Sequence, residues 1–262
     1  MDFKFKKSLG QNFLTDKNIL NKIVTTSNIE KKSLVIEVGP GSGNLTLEIA
    51  KIANQVLCYE IDTRLEPILK ENLNNFSNVN IIYDDFLKRN IQNDIQEYDY
   101  DNLYLIANLP YYITTPIIEK IIDSNLPFKQ ITIMVQKEVG DRFTSLPKSK
   151  SYGSLTVYLN YYFDIKKEFT VSRNAFIPKP NVDSVIVTLK KKEKLPYLKD
   201  IVIFNKLLKE CFKFKRKTLK NNLSNYNLEI IENILKANGY SLNNRAEEIP
   251  ADIFIEIANN IS

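Results

Sequence analysis

From residue 18 to about residue 190, short apolar runs alternate with segments whose apolar residues recur at helical spacing. The runs Leu34–Val38, Val56–Tyr59, Val79–Tyr83, Leu103–Ala107, Ile131–Val135 and Val185–Leu189 read as strands. Between them, Leu45–Ile52, Leu65–Leu73 and Pro116–Ile122 read as helices, with Ile117, Ile118, Ile121 and Ile122 forming one stripe. Strand–helix alternation predicts an α/β fold, a mostly parallel sheet with helices on both faces. Lys166–Val171 and Val185–Leu189 pair as a closing hairpin in this reading, which makes the sheet mixed.

The pattern changes after Leu189. The stretch KKKEKLP, residues 190 to 196, has the charge and the terminal proline of a linker. Beyond it, Phe204, Leu207, Leu208, Cys211 and Phe212 repeat at three and four residues, which predicts an amphipathic helix continuing over 204–220. Leu228–Leu235 and Ile253–Ile261 give two more helices, and no strand signal follows. The expected organisation is a domain over residues 1–192 and a small all-helical domain over residues 193–262.

Composition narrows the chemistry. Histidine is absent from the 262 residues, and cysteine occurs only at Cys58 and Cys211. No zinc site of Cys/His spacing, no other metal site and no histidine-dependent nucleophile is expected. No apolar stretch reaches the roughly 18 residues of a membrane span, and MDFKFKKSLGQNF lacks the apolar core of a secretory signal. A soluble, cytoplasmic protein without a membrane partner is expected. The net charge of +5 is unevenly placed: residues 190–220 carry +9 and the remainder −4. Such a basic block points to a polyanion partner, or else to a solvated helix face.

The polar residues that matter stand where the predicted strands end. After Val38 comes Gly39-Pro40-Gly41-Ser42-Gly43, glycines at alternate positions that let the backbone turn sharply and approach a ligand. The spacing differs from the dinucleotide fingerprint, and the phosphate-binding lysine of a P-loop is missing. The missing lysine excludes a P-loop, and the glycine spacing together with the absence of histidine disfavours a nicotinamide-linked oxidoreductase. Glu60 follows the second strand and can accept both hydroxyls of a ribose, or can simply complement a helix dipole. Asp85, after the third strand, can accept from an adenine amino group or cap a turn. The fourth strand ends in Asn108-Leu109-Pro110-Tyr111. Here a side-chain amide, a carbonyl followed by a residue with no N–H, and an aromatic ring match the two donors and flat face of an adenine amino edge.

This ordered set resembles the Rossmann-like class I S-adenosylmethionine-dependent methyltransferases, and NLPY narrows it to those that methylate an exocyclic amine. KSLGQNFL (7–14), EVGPGSGNLT (37–46), NLPYYITTP (108–116), MVQKEV (134–139) and FIPKPNVDS (176–184) are similar to the ribosomal RNA adenine dimethyltransferase family, nearly end to end. FKFKRKTLKNNL (212–223) and NRAEE (244–248) resemble its small-subunit branch more than the large-subunit branch associated with antibiotic resistance. The resemblance implies N6,N6-dimethylation of two adjacent adenosines in a hairpin near the 3′ end of small-subunit rRNA, by a monomer acting on an assembling small ribosomal subunit. A large-subunit enzyme, or an assembly or transcription factor that has lost turnover, are the rival readings.

By the same resemblance, Asn12, Leu14, Gly39, Gly41, Gly43, Glu60, Asp85 and Asn108 hold S-adenosylmethionine. Asn108, Leu109, Pro110 and Tyr111 form the catalytic turn, with Tyr111 stacking on the target base and Phe176 covering its other face. Lys206, Lys209, Lys213, Arg216, Lys217 and Lys220 contact RNA phosphates. Tyr112 and Thr114 depart from the family pattern, where Asn and Ser are common, and this bears on how the substrate packs.

Overall fold

The computed structural model describes Lys6 and residues 11–261. Residues 7–10 of the KSLGQNFL stretch lie outside them. Nine strands are present among the described residues: β1 Phe13–Leu14, β2 Ser33–Val38, β3 Gln55–Tyr59, β4 Val79–Ile82, β5 Asn102–Asn108, β6 Phe128–Gln136, β7 Phe163–Val171, β8 Phe176–Ile177 and β9 Ser184–Lys191. Eleven α-helices accompany them: α1 Lys17–Thr26, α2 Asn44–Ala50, α3 Glu66–Asn72, α4 Ile91–Asp94, α5 Thr114–Asp123, α6 Lys137–Phe143, α7 Ser154–Tyr162, α8 Ile201–Cys211, α9 Leu219–Asn222, α10 Leu228–Ala237 and α11 Ala251–Ile261. None is long and apolar enough to cross a membrane.

Every residue of β2 is buried, as an interior strand covered on both faces requires. The main sheet has the order β4-β3-β2-β5-β6-β9-β7. The pairs β2–β3, β2–β5, β3–β4 and β5–β6 are parallel, and β6–β9 is antiparallel. The six apolar runs form strands as expected, with boundaries shifted by a residue or a few, and the C-terminal strands make the sheet mixed. On α5, Ile117, Ile118 and Ile121 of the expected stripe are buried. The chain proceeds outward from β2 to β3 and β4, then returns to β5 on the other side of β2. That reversal opens a crevice at the carboxyl ends of β2 and β5, where sheets of this kind take ligands.

The chain divides into two compact units, residues 1–140 with 166–190, and residues 141–165 with 191–262. The expected boundary at 192/193 is close at that crossing, but the second unit also takes in residues 141–165. Helix α7 explains this, because Val157 and Tyr161 share one apolar cluster with Phe204, Leu208, Ile231 and Phe254. Tyr161 and Phe204 lie 5.6 Å apart between ring centroids. Strand-like and helix-like spacings run on without a break through this segment, so composition alone does not mark the crossing.

The second unit also corrects the expected helix over 204–220. Helix α8 ends at Cys211, and residues 212–218 form a turn before α9. The apolar repeat of Phe204, Leu207, Leu208 and Cys211 has no successor at 215, so nothing buries a further helical turn. Asn222 then closes the end of α8 by donating from Nδ2 to the Cys211 carbonyl at 2.7 Å.

Candidate active site

A cavity of about 250 Å³ lies at the carboxyl ends of β2, β3, β4 and β5. The turn after β2 is held by Gly39 N–H, which donates to the Tyr59 carbonyl at 2.9 Å. Gly41 has φ +60°, and a Cβ there would lie 2.9 Å from the Phe13 ring, so only glycine lets the two segments meet this closely. Gly43, at φ +84°, caps α2 and packs near Leu69. Gly39 and Gly41 line the cavity, whereas Gly43 serves the turn behind it.

Glu60 is 5% exposed and lines the same cavity. Its Oε1 accepts from Asp62 N–H at 2.8 Å and its Oε2 from Gly41 N–H at 3.1 Å. Burial pushes its pKa up, opposed by those two backbone donors. Each oxygen keeps a lone pair for a further donor, the arrangement a vicinal diol needs. Asp85 lines the cavity as well and caps the following turn, accepting from Leu87 N–H at 3.0 Å through Oδ1. The two readings of Asp85 are therefore compatible. Ile61, Phe86 and Pro110 supply apolar walls.

Asn108 ends β5. Its Nδ2 donates to the Asn12 carbonyl at 3.1 Å, leaving Oδ1 without a partner among the described residues. The Leu109 N–H donates to the Met134 carbonyl at 3.3 Å. Pro110 has no N–H, and no described residue donates to the Leu109 carbonyl oxygen. Two adjacent residues thus each keep an acceptor oxygen free of described donors, and Asn108, Leu109, Pro110 and Tyr111 all line the cavity. The Tyr111 hydroxyl is within 2.8 Å of Ser184 Oγ, which fixes the ring. Tyr112 is 58% exposed and lines the cavity, while Thr114 is buried at the start of α5.

Phe176 is placed differently from the expectation. It sits in β8, paired with Leu14, and is 3% exposed within the core of the first unit. It is not among the residues that line the cavity.

In the second unit all six basic candidates are exposed. Lys206 and Lys209 ride on α8, Lys213, Arg216 and Lys217 on the turn, and Lys220 on α9.

The sequence model of the family described as ribosomal RNA adenine dimethylase matches residues 2–262. The chain belongs to this family. Among curated family members, the ribosomal RNA small subunit methyltransferase A of Listeria innocua is 44% identical over 98% of this chain and 90% of its own length. That of Macrococcus caseolyticus is 42% identical over 99% of this chain and 90% of its own. The crystal structure of a dimethyladenosine transferase from Plasmodium falciparum superimposes with a TM-score of 0.77 at 28% identity, covering 93% of this chain and 95% of that one. The 23S rRNA methyltransferase ErmE gives 0.74 at 25% identity, covering 95% and 99%.

In this family member the cavity also depends on residues that sequence reasoning passed over. Gln11 donates from Nε2 to Asp62 Oδ2 at 2.8 Å. Arg64 grips the same carboxylate through Nε at 2.8 Å and a terminal guanidinium nitrogen at 2.6 Å. Hydrogen bonds from Arg64, aided by Gln11, hold the Asp62 carboxyl down at about 2. Asn44 Nδ2 donates to the Leu14 carbonyl at 2.9 Å. Asp62, Asn44 and Asn108 therefore tie the segment 11–14 against three strand ends. Its only sequence signal was proximity: Gln11 adjoins Asn12, and Asp62 stands two residues after Glu60. Glu37, at the end of β2, is 1% exposed, and burial pushes its carboxyl up to about 7. Cys58 lies beside it, its Sγ 3.7 Å from Glu37 Oε2.

Proposed function

We propose that this protein is an S-adenosylmethionine-dependent methyltransferase that converts two adjacent adenosines of small-subunit rRNA to N6,N6-dimethyladenosine. The target is a hairpin near the 3′ end, and the protein acts as a cytoplasmic monomer on an assembling small subunit. One observation carries the reading: two acceptor oxygens, on Asn108 and Leu109, flank the cavity that Glu60 and Asp85 also line. The names of the relatives at 42% and 44% identity support the small-subunit target over the large-subunit one.

The residues present suit the methyl donor. Glu60 would hold the ribose hydroxyls, Asp85 the adenine amino group, and Ile61 and Phe86 the faces of the ring. Gly39 and Gly41 offer backbone close by. When bound, S-adenosylmethionine supplies a methyl group made electrophilic by its sulfonium charge.

The chain's own task is position and electrostatics. The lone pair of an adenine amino nitrogen is delocalised into the ring, which makes it a weak nucleophile. Acceptance of its two N–H bonds by Asn108 Oδ1 and the Leu109 carbonyl favours a tetrahedral nitrogen with the lone pair directed at the methyl. Tyr111, its hydroxyl anchored to Ser184, offers a face for the unstacked base. Extruding that base costs a few kcal/mol, which the ring contact and the acceptors offset. No histidine is needed, because the amine's proton leaves to water after transfer. Before the second transfer only one N–H remains, so the base must settle with one hydrogen bond fewer.

Incubation of immature small subunits and, in parallel, of large subunits with labelled donor tests this directly. Label appearing in N6,N6-dimethyladenosine of small-subunit rRNA is the expected result, and label confined to large-subunit rRNA contradicts it.

A further inference from the structure

The turn between α8 and α9 carries two phenylalanines with opposite fates. Phe212 faces the core, its ring centroid 5.6 Å from Phe254 and 6.1 Å from Tyr152. Phe214, two residues on, is 56% exposed. Leaving a phenylalanine in water forgoes the burial that usually places this residue inside.

The turn that presents Phe214 is tied down. Lys213 N–H donates to the Glu210 carbonyl at 3.2 Å, and Lys217 N–H donates to the Phe214 carbonyl at 2.9 Å. Asn222, only 9% exposed, reaches Cys211 O at 2.7 Å and Phe214 O at 3.3 Å through one amide nitrogen. The Phe214 backbone is thus anchored to the buried side of the unit while its ring stays outside.

Cations flank that residue along the chain. Lys213, Lys215, Arg216 and Lys217 are all exposed, and the Lys213 ammonium lies 5.6 Å from the Phe214 ring centroid. Among the described residues, the one ion pair of these four cations is the long contact from Lys213 to Glu210, at 4.0 Å. A hydrophobic protein groove would have to desolvate these charges without compensation. A nucleobase flanked by its own phosphates answers both features, a π-face for the ring and negative charge for the cations.

We infer that Phe214 is a stacking platform for an unpaired base of the RNA substrate, with Lys213, Lys215, Arg216 and Lys217 on the adjoining phosphates. The inference rests on the reading of this protein as an rRNA methyltransferase and adds a base contact remote in sequence from the NLPY turn. Stacking and phosphate contact leave different signatures. Loss of a phosphate contact flattens the dependence of affinity on salt, whereas loss of a stacked ring lowers affinity at every salt concentration alike.

The test titrates a labelled small-subunit 3′ hairpin with wild type, Phe214→Ala, Phe214→Trp and the double variant Lys215→Ala/Arg216→Ala, across a salt series. Circular dichroism and the thermal midpoint establish that each variant is folded. Phe214→Ala is expected to bind about 10-fold more weakly with an unchanged salt slope, and Phe214→Trp to bind like wild type. The double charge variant is expected to lose slope. Wild-type affinity in Phe214→Ala, or a loss that Phe214→Trp does not restore, overturns the stacking role while leaving the methyltransferase reading intact. A parallel arm uses anionic lipid vesicles. A Phe214-dependent association with vesicles but not with RNA assigns the ring to a membrane and overturns the inference. Failure of wild type itself to bind the hairpin defeats both the RNA reading and this one.

Discussion

Asn108 and Asn12, 96 residues apart, are joined by a hydrogen bond of 3.1 Å from the Asn108 side-chain nitrogen to the Asn12 carbonyl. The bond occupies the nitrogen end of the Asn108 amide and leaves its oxygen for a further donor. The nitrogen is committed to the 11–14 segment, and Asn108 and Leu109 both line the cavity. The NLPY turn and the segment 11–14 are therefore one hydrogen-bonded unit.

Asn108→Ala removes both functions of that amide. Methyl transfer is expected to fall by about 100-fold or more, the scale for losing one preorganised hydrogen-bond partner. RNA affinity is expected to stay near wild type, since Asn108 makes no phosphate contact in this arrangement. Single-turnover transfer together with a hairpin-binding titration checks both halves, and retained turnover would remove Asn108 from the mechanism.

Asp62→Asn weakens the acceptor that holds Gln11 of the segment 11–14 and is itself fixed by Arg64. Donor affinity is expected to drop about 10-fold, roughly the 1.4 kcal/mol of a charge-assisted hydrogen bond. The rate at saturating donor is expected to change little. Calorimetry with S-adenosylhomocysteine, and amide exchange at Gln11–Leu14, report the two effects. Equal affinity in the variant would show that the Asp62 contacts do not hold the segment for binding.

Most of the sheet could be read before any coordinates, because interior parallel strands must be apolar on both faces and so appear as unbroken runs such as Leu34–Val38. The polar residues ending those runs were legible for the same reason: Glu60, Asp85 and Asn108 each interrupt an apolar run where a strand stops. What escaped were features joining distant segments. Gln11 and Asp62 are 51 residues apart, and neither has a periodicity that advertises the bond between them. The short pair β1–β8 is equally silent, with two residues in each strand. Through it Phe176, aromatic and two residues before a proline in a resembling motif, lies in the core instead of the cavity. The end of α8 was missed because basic residues after Cys211 are compatible with a helix, and only the absence of a buried face stops it.

Gly41→Ala tests the contact between the glycine turn and the same segment. The new methyl would sit 2.9 Å from the Phe13 ring at a backbone φ of +60°. The strain is expected to cost about 1–2 kcal/mol of stability and to displace Phe13 from over the turn. Chemical denaturation measures the first effect and donor affinity the second. A variant with wild-type values of both would show the close approach to be dispensable.

Glu37 gives a pH dependence of definite sign. Its carboxyl titrates near 7 in the folded protein against about 4.5 when solvated. Between those values the folded state holds a proton that the unfolded state has lost, so stability falls as pH rises through this window. The penalty is complete above about 7 and on the order of 3 kcal/mol at most. Glu37→Gln removes it: without ligand, the variant and wild type are expected to melt alike near pH 4.5, and the variant several degrees higher at pH 8. Asp62, held low, acts in the opposite sense and only in the more acidic range, outside this window. Parallel melting curves for the two proteins across pH 4.5 to 8 would contradict the assignment.

In the proposed mechanism the Asn108–Leu109 acceptor pair orients the adenine amino group of small-subunit rRNA for methylation. The most direct test is mass spectrometry of nucleosides from small-subunit rRNA after incubation of immature subunits with the protein and S-adenosylmethionine. The expected result is two adjacent N6,N6-dimethyladenosines near the 3′ end with wild type and none with Asn108→Ala. Unmodified adenosines with wild type, or equal modification by both proteins, would contradict it.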